Sequence, residues 1–233
     1  MRGIIFLVLL TAALGTAQLD VAFMIADHRY EWDDALDCFE SDGRFGDVDF
    51  YDCEDGSTPP VGVFLLYDVI VAGGMGNYRE PEKFGDRLAD YVDLGGCVVV
   101  EAGKLTIYGI GGRWRSDGYA PYYTESADWH EGYQDLVIDE PGHAIFDDVS
   151  GLWDSRYRVD TILRSGAIEL AHFADAGGVA VNARENVVGL NYLGGYHWWT
   201  GDGYLIMANA ACWLAAHSEV REMSWGQIKA EFE

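Results

Sequence analysis

The chain has 233 residues, and its 39 aspartates and glutamates outnumber its 15 lysines and arginines, which gives a formal net charge of −24 at pH 7. A surface this negative repels nucleic acids and anionic membranes, so neither is expected as a partner. The length is sufficient for one α/β domain with a well-buried core.

The first 17 residues have the pattern of a secretory signal peptide. Arg2 supplies a positive charge, residues 4–14 are mostly apolar, and residues 15–17 are small and suited to cleavage. The alternative is a membrane anchor, but the apolar stretch is too short to cross about 30 Å of hydrocarbon, and no later stretch is long enough. We therefore expect an exported protein, secreted or periplasmic, whose mature domain spans residues 18–233 without a membrane span.

The predicted elements begin with an apolar strand at residues 19–26. A helix follows, on which Trp32, Leu36 and Phe39 share one face. Residues 47–52 alternate between polar and apolar side chains, which indicates a second strand nearer the edge of the sheet. A short helix is expected at residues 59–66.

Residues 68–103 contain a complete β-loop-α-β unit. A short apolar run closed by glycines at residues 68–74 is typical of a parallel strand that is buried on both faces. Pro81 stands where a helix begins, and a glycine pair ends this helix before a second strand opens at Cys97. The unit predicts an α/β fold with a parallel sheet.

Beyond this unit the periodicity is lost. Residues 104–134 are rich in Gly, Tyr, Trp and Arg and form an irregular insert, which is either a functional loop or a region of small strands. Later strands are predicted at residues 136–139, 168–173, 179–182 and 186–192, followed by a closing helix at residues 202–217. Some of these strands are expected to pair as a hairpin.

The four cysteines can pair in an oxidising compartment. Cys38 and Cys53 flank one helix-turn-strand segment, and a disulfide between them would close a loop of about 15 residues and contribute ~3 kcal/mol. Cys97 and Cys212 fall in apolar segments and are expected in the core. The sequence has no ligand pattern typical of zinc, so a zinc site is not expected.

Several segments carry a resemblance to a known superfamily. Residues 67–74, 88–100, 137–146, 188–192 and 209–214 resemble, in this order, the class I glutamine amidotransferase-like superfamily and, within it, the ThuA-like group. The resemblance covers most of the mature chain. It implies a single-domain, flavodoxin-like three-layer sandwich with a mostly parallel central sheet. The motifs are mainly structural, so they imply a fold more than an activity.

The catalytic pair implied by this resemblance is missing. The chemistry needs an exposed Cys at the sharp turn after the fourth strand, activated by a His. That turn falls on Ala102 and Gly103, and Leu193 stands at the His position. Cys97 lies at the other end of the strand, more than ~15 Å away at ~3.3 Å per residue. Amidotransferase or cysteine-hydrolase activity is therefore not expected.

A glycine-rich loop after the third predicted strand is the first candidate for ligand binding. Its glycines leave backbone N–H groups open to an anion, and Gly74, Met75, Asn77 and Tyr78 fall where open parallel sheets bind ligands. The loop lacks the spacing of a phosphate-binding motif. The alternative is an ordinary tight turn.

A polar and aromatic set is the second candidate. Lys104 and Arg113 accompany the tyrosines and tryptophans of the insert, and His197 and Trp198 lie in a later loop. Such residues are suited to stacking on sugar rings or anchoring a protein partner. The alternative is a small core that packs the insert onto the sheet. Asp-rich segments lack the spacing of a calcium loop, and neither a metal nor a cofactor is predicted.

Two functional hypotheses follow. The first is an exported, non-catalytic module that binds a small molecule, a carbohydrate or an envelope protein. The alternative is a ThuA-like enzyme that acts on sugars through Glu101, which ends the fourth strand, and His143. That mechanism requires both side chains to reach one substrate atom. The simpler role for Glu101 is a hydrogen bond to neighbouring backbone.

Overall fold

The computed structural model describes residues 18–105, 109–125 and 129–217. The strands are β1 (Leu19–Ile25), β2 (Phe45–Asp52), β3 (Val69–Gly73), β4 (Cys97–Glu101), β5 (Tyr122–Tyr123), β6 (Trp129–Gln134), β7 (Val137–Ile138), β8 (Leu152–Trp153), β9 (Ser155–Val159), β10 (Ile162–Leu163), β11 (Ile168–Phe173), β12 (Ala176–Val181), β13 (Val187–Leu190) and β14 (Thr200–Gly201). The helices are α1 (Asp33–Ser41), α2 (Val61–Phe64), α3 (Pro81–Asp93), α4 (Ala102–Leu105), α5 (Gly112–Ser116) and α6 (Gly203–His217), with 3-10 turns at Arg29–Glu31 and Ala144–Phe146.

An eight-stranded sheet with the order β2-β1-β3-β4-β13-β12-β11-β7 forms the centre of the fold. The first five of these strands are parallel to one another, and the last three extend the sheet by antiparallel pairing. The predicted α/β fold with a mostly parallel sheet is confirmed, as is the hairpin of β11 and β12. The carboxyl ends of the five parallel strands meet at one edge, which we call the carboxyl edge.

Helices cover both faces of the sheet, because successive residues of its central strands point to opposite sides. On β3, Val69 and Val71 share a core with Leu36 of α1 and with α6, whereas Ile70 and Ala72 share a second core with α3. Each fully buried aliphatic side chain contributes about 1.5–3 kcal/mol. The result is the three-layer arrangement that the resemblance implies.

The helix α3 has the predicted bounds. It begins at Pro81, its Phe84 and Leu88 are fully buried, and Gly95 with φ of +99° follows its end. The hydroxyl of Tyr91 donates hydrogen bonds of 3.0 Å to two backbone carbonyls just before β3. These bonds fix the carboxyl end of α3 to the start of that strand.

The irregular insert contains several short elements in its described part. The helix α4 ends within it, the helix α5 and the strands β5 and β6 begin within it, and β5 pairs with β10 while β6 pairs with β9. The insert therefore contains small strands, which was one of the two alternatives that the sequence left open.

The predicted disulfide between Cys38 and Cys53 is wrong, and both residues are free thiols. Cys38 is half-buried on α1, which packs on the α6 side of the sheet, whereas Cys53 is buried in the core on the α3 side. The sheet therefore lies between the two thiols. Cys97 is buried in the core as expected, but Cys212 on α6 is only half-buried.

The predicted signal peptide, residues 1–17, lies outside the described residues. Within the described ranges, no helix combines the length and the apolar character needed to cross a membrane.

Candidate functional site

The loops that follow β1, β3, β4 and β13 meet at the carboxyl edge, where ligand sites form in open α/β sheets. The carboxylate of Glu101, at the end of β4, lies at their centre. Its Oε1 accepts a hydrogen bond from the backbone N–H of Gly74 at 2.5 Å, and its Oε2 accepts one from Gly194 at 2.6 Å. The side chain is 1% exposed. Glu101 thus ties the loop after β3 to the loop after β13.

A second carboxylate, that of Asp27, also accepts hydrogen bonds from the loops after β3 and β13. Asp27, just after β1, accepts hydrogen bonds from the backbone N–H of Met75 at 3.3 Å and from the hydroxyl of Tyr196. The N–H groups of Gly74 and Met75 therefore already bind carboxylates of the chain itself. The predicted anion-binding loop is filled from within by Glu101 and Asp27.

The loop conformation depends on glycine at position 74. Gly74 has φ of +104°, and a Cβ there would lie 2.4 Å from the backbone oxygen of Ala26. Only glycine combines this backbone angle with so close an approach to the loop after β1.

Lys104 supplies a buried positive charge beside these carboxylates. It is 4% exposed, its Nζ donates a hydrogen bond of 2.6 Å to the carbonyl of Gly76, and the same atom lies 4.7 Å from the centre of the Tyr78 ring. Burial lowers the pKa of Lys104, while Glu101 and Asp27 act in the opposite direction. Burial raises the pKa of Glu101, against the two N–H groups and Lys104. With both groups covered, a substrate reaches them only if a loop moves.

His143 lies at the other edge of the sheet. Its ring packs against Trp213 of α6 at 4.9 Å between ring centres. The helix α6 begins at the carboxyl edge, where the hydroxyl of Tyr192 donates to the carbonyl of Gly203, and Trp213 is ten residues further on, about 15 Å along the helix. The predicted pairing of Glu101 with His143 is therefore not found.

The remaining residues of the two predicted sets are dispersed. Met75 and Asn77 are exposed in the loop after β3. Arg113 on α5 forms ion pairs with Asp90 and Asp93 of α3, and these carboxylates raise its pKa. Arg113 therefore fastens α5 to α3 and takes no part in the carboxyl edge.

His197 and Trp198 line an open groove beside the carboxyl edge. The groove has a volume of about 400 Å³, and it is lined by Tyr133, Asp154, His197, Trp198, Trp199 and Thr200, which we call the aromatic groove. Trp198 stacks on Tyr196 with 4.6 Å between ring centres, and a tyrosine of β9 packs against it at 4.4 Å. These contacts hold the indole in one orientation.

One group of possible metal ligands lies at the same edge. His28, Asp52 and Asp55 can each place one ligand atom within 4.8 Å of the other two. An imidazole and two carboxylates suit a divalent cation that keeps bound water. The sequence indicated no metal here, because His28 is far from the aspartates along the chain.

Several residues of this edge carry only a weak signal in the sequence. Asp27 directly follows a buried strand, which is a position typical of functional side chains and a signal that sequence reasoning missed. Tyr133 and Tyr196 lie in segments without periodicity, and only the folded chain places Tyr133 in the groove and stacks Tyr196 on Trp198.

Comparisons with known proteins identify the fold. No family model matches the chain, and no curated protein does. A cytoplasmic protein from Salmonella typhimurium is similar in structure, with a TM-score of 0.65, 14% identity, and coverage of 83% of this chain and 98% of that one. A protein from Bacteroides uniformis described as ThuA-like has a TM-score of 0.63 at 14% identity, with 90% and 96% covered.

A protein from Thermoplasma acidophilum described as part of a GMP synthase has a TM-score of 0.58 at 12% identity, with 87% of this chain and 97% of that one covered. At identities this low the likeness concerns the fold alone. The chain shares the fold of ThuA-like and glutamine amidotransferase-like proteins, as the sequence resemblance implied.

Proposed function

We propose that this chain is an exported, non-catalytic binding module on an amidotransferase-like fold, and that its aromatic groove binds carbohydrate. The observation that carries the non-catalytic part is the environment of Glu101. Both of its oxygens accept backbone N–H groups, and the turn that follows has Ala102 and Gly103 where a nucleophile would stand. A carboxylate held in this way ties two loops together, and at 1% exposure it does not reach a substrate atom to act as a general base.

The groove supports a carbohydrate as the ligand. Trp198 is fixed by its stacking on Tyr196, so little conformational entropy is lost when a sugar packs against the indole. Asp154, His197 and Thr200 supply polar groups at the rim. A neutral sugar is also not repelled by a chain with a net charge of −24.

The binding test compares two exposed tyrosines. Tyr133 is 69% exposed and lines the groove, whereas Tyr30 is 66% exposed and lies outside it. We expect maltotriose or chitotriose to bind the wild-type chain in calorimetric titrations. Tyr133→Ala should weaken binding about fivefold, since an aromatic contact is worth roughly 1 kcal/mol. Tyr30→Ala should leave affinity unchanged.

A failure of all neutral oligosaccharides to bind at 10 mM, or equal weakening in both variants, would refute the carbohydrate assignment. The non-catalytic part is tested separately. Wild type and Glu101→Ala are assayed for hydrolysis of glutamine, esters and glycosides. Turnover by the wild-type chain that Glu101→Ala abolishes would refute that part.

A further inference from the structure

A small positively charged cavity lies beneath the insert, on the α3 side of the sheet. It has a volume of about 130 Å³, and Arg115, Trp114, Tyr122, Tyr123 and Arg164 are among its lining residues. None of the described lining residues is acidic. This is unexpected for a chain in which acidic residues outnumber basic ones 39 to 15.

Arg164 is the residue that distinguishes this cavity. Its Nε is buried and has no hydrogen-bond partner among the described residues, and its guanidinium forms no ion pair with a described carboxylate. By contrast, Arg113 and Arg158 each bind aspartates. A buried donor without a partner destabilises the fold, because it has lost its hydrogen bonds to water without gaining others. A bound anion would remove that destabilisation.

The fold holds Arg164 in place for such a ligand. Arg164 follows β10, which pairs with β5, and its backbone N–H donates a hydrogen bond of 2.9 Å to the carbonyl of Pro121. The guanidinium lies over the ring of Tyr123, 4.9 Å from its centre. It also packs closely on Gly118, where a Cβ would lie 2.8 Å from its Nη1. The positive group is therefore fixed before any ligand arrives.

We propose that this cavity binds the carboxylate of a small organic acid and that Arg164 is its recognition residue. The Nε and Nη donors of a guanidinium form a planar fork that matches the two oxygens of a carboxylate. Leu105, Ile110 and Trp114 provide an apolar wall for a short carbon chain. The volume is below the ~300–1,000 Å³ of a drug-sized pocket, so the acid has only a few carbon atoms.

The test titrates the chain with acetate, propanoate, butanoate and inorganic phosphate at constant ionic strength set with chloride. We expect propanoate or butanoate to bind more tightly than phosphate. Arg164→Leu should weaken binding at least tenfold. Arg164→Lys, which keeps the charge but loses the fork, should also lose most of the affinity.

Arg156→Leu is the matched control. Arg156 also lies over a tyrosine ring, 4.8 Å from its centre, but it is not among the residues that line the cavity. This variant should bind propanoate as the wild type does. Circular dichroism checks that each variant is folded, and a melting temperature raised by propanoate over chloride gives a second readout on the unmodified chain.

Three results would overturn the proposal. The first is the absence of carboxylate binding by the wild-type chain at 10 mM. The second is unchanged binding by folded Arg164→Leu or Arg164→Lys. The third is a preference for phosphate, which would assign the cavity to a phosphoryl group.

Discussion

The carboxylate of Glu101 joins two loops of the carboxyl edge that are distant along the chain. A nucleophile at a strand-to-helix turn must be exposed, whereas Glu101 is 1% exposed. Its oxygens accept N–H groups from Gly74 and Gly194, which belong to loops that are distant along the chain. The carboxylate of Glu101 therefore accepts the loop N–H groups that a bound anion would otherwise accept.

The substitution Glu101→Gln should destabilise the fold although it preserves size and shape. Glutamine has one acceptor oxygen, so its amide N–H₂ would face the N–H of Gly74 or Gly194 and leave a buried donor unpaired. The expected loss in the free energy of unfolding is roughly 1–3 kcal/mol, measured by urea denaturation. The control Glu40→Gln alters an exposed residue of α1 and should change stability little. Equal stability of the two variants would contradict the bridging role.

At the scale of elements, the sequence predicts what depends on periodicity and misses what depends on tertiary contacts. The bounds of α3 agree with prediction because Pro81 and the following glycines mark its ends. The strands β5 and β10 have two residues each, too few to show alternation, and they exist because they pair with each other. Likewise, the spacing of Cys38 and Cys53 does not reveal that a sheet lies between them.

In the candidate site too, the sequence predicts where the strands end but not the contacts between distant loops. The sequence located Glu101, Lys104 and the glycine loop at the carboxyl edge, because parallel strands end there together. It did not reveal that the loop N–H groups bind Glu101 and Asp27, because that depends on the exact approach of four loops. Nor did it identify Arg164, whose surroundings are assembled from α4, α5, β5 and the turn after β10.

One ion pair fastens β9 to the turn between β11 and β12. The side chain of Arg158 is 1% exposed, and its Nε and Nη2 donate hydrogen bonds of 2.9 and 2.8 Å to the two oxygens of Asp175. These bonds are the largest cause of the lowered pKa of Asp175. A strand of five residues is thereby fixed at the carboxyl edge beside the aromatic groove.

Asp175→Asn should lower the free energy of unfolding at pH 7 by about 2–3 kcal/mol, because it leaves the buried charge of Arg158 without its counter-charge. The pKa of Asp175 is lower in the folded chain than in the unfolded one, so its contribution is complete above the unfolded value of ~3.9 and is lost as the pH falls through the folded value. The stability gap between wild type and variant should therefore narrow below pH 4.

Denaturation curves between pH 7 and pH 3 measure this gap. The control Asp33→Asn disrupts an exposed pair with Arg29 at 3.8 Å and should cost less than about 1 kcal/mol at every pH. A gap for Asp175→Asn that stays constant with pH would show that the loss does not come from the ion pair.

For the whole molecule, the dominant physical feature is the excess of negative charge. Several described cations are already paired, among them Arg44, Arg113, Arg158 and Lys83, which each contact carboxylates. These pairs neutralise only a fraction of the acidic groups, because 39 acidic residues face 15 basic ones. The uncompensated carboxylates repel one another more strongly in the compact chain than in the unfolded one.

Salt should therefore stabilise the folded chain. The Debye length is ~10 Å at 0.1 M and falls to a few Å near 0.5 M, so added sodium chloride screens the repulsion among surface carboxylates. The melting temperature should rise steadily from 10 mM salt and level off near about 0.5 M. It is measured by differential scanning calorimetry at pH 7, where the carboxylates are ionised and the net charge is −24. A melting temperature that is flat or falls over this range would mean that local ion pairs, which salt weakens, outweigh the repulsion of the molecule as a whole.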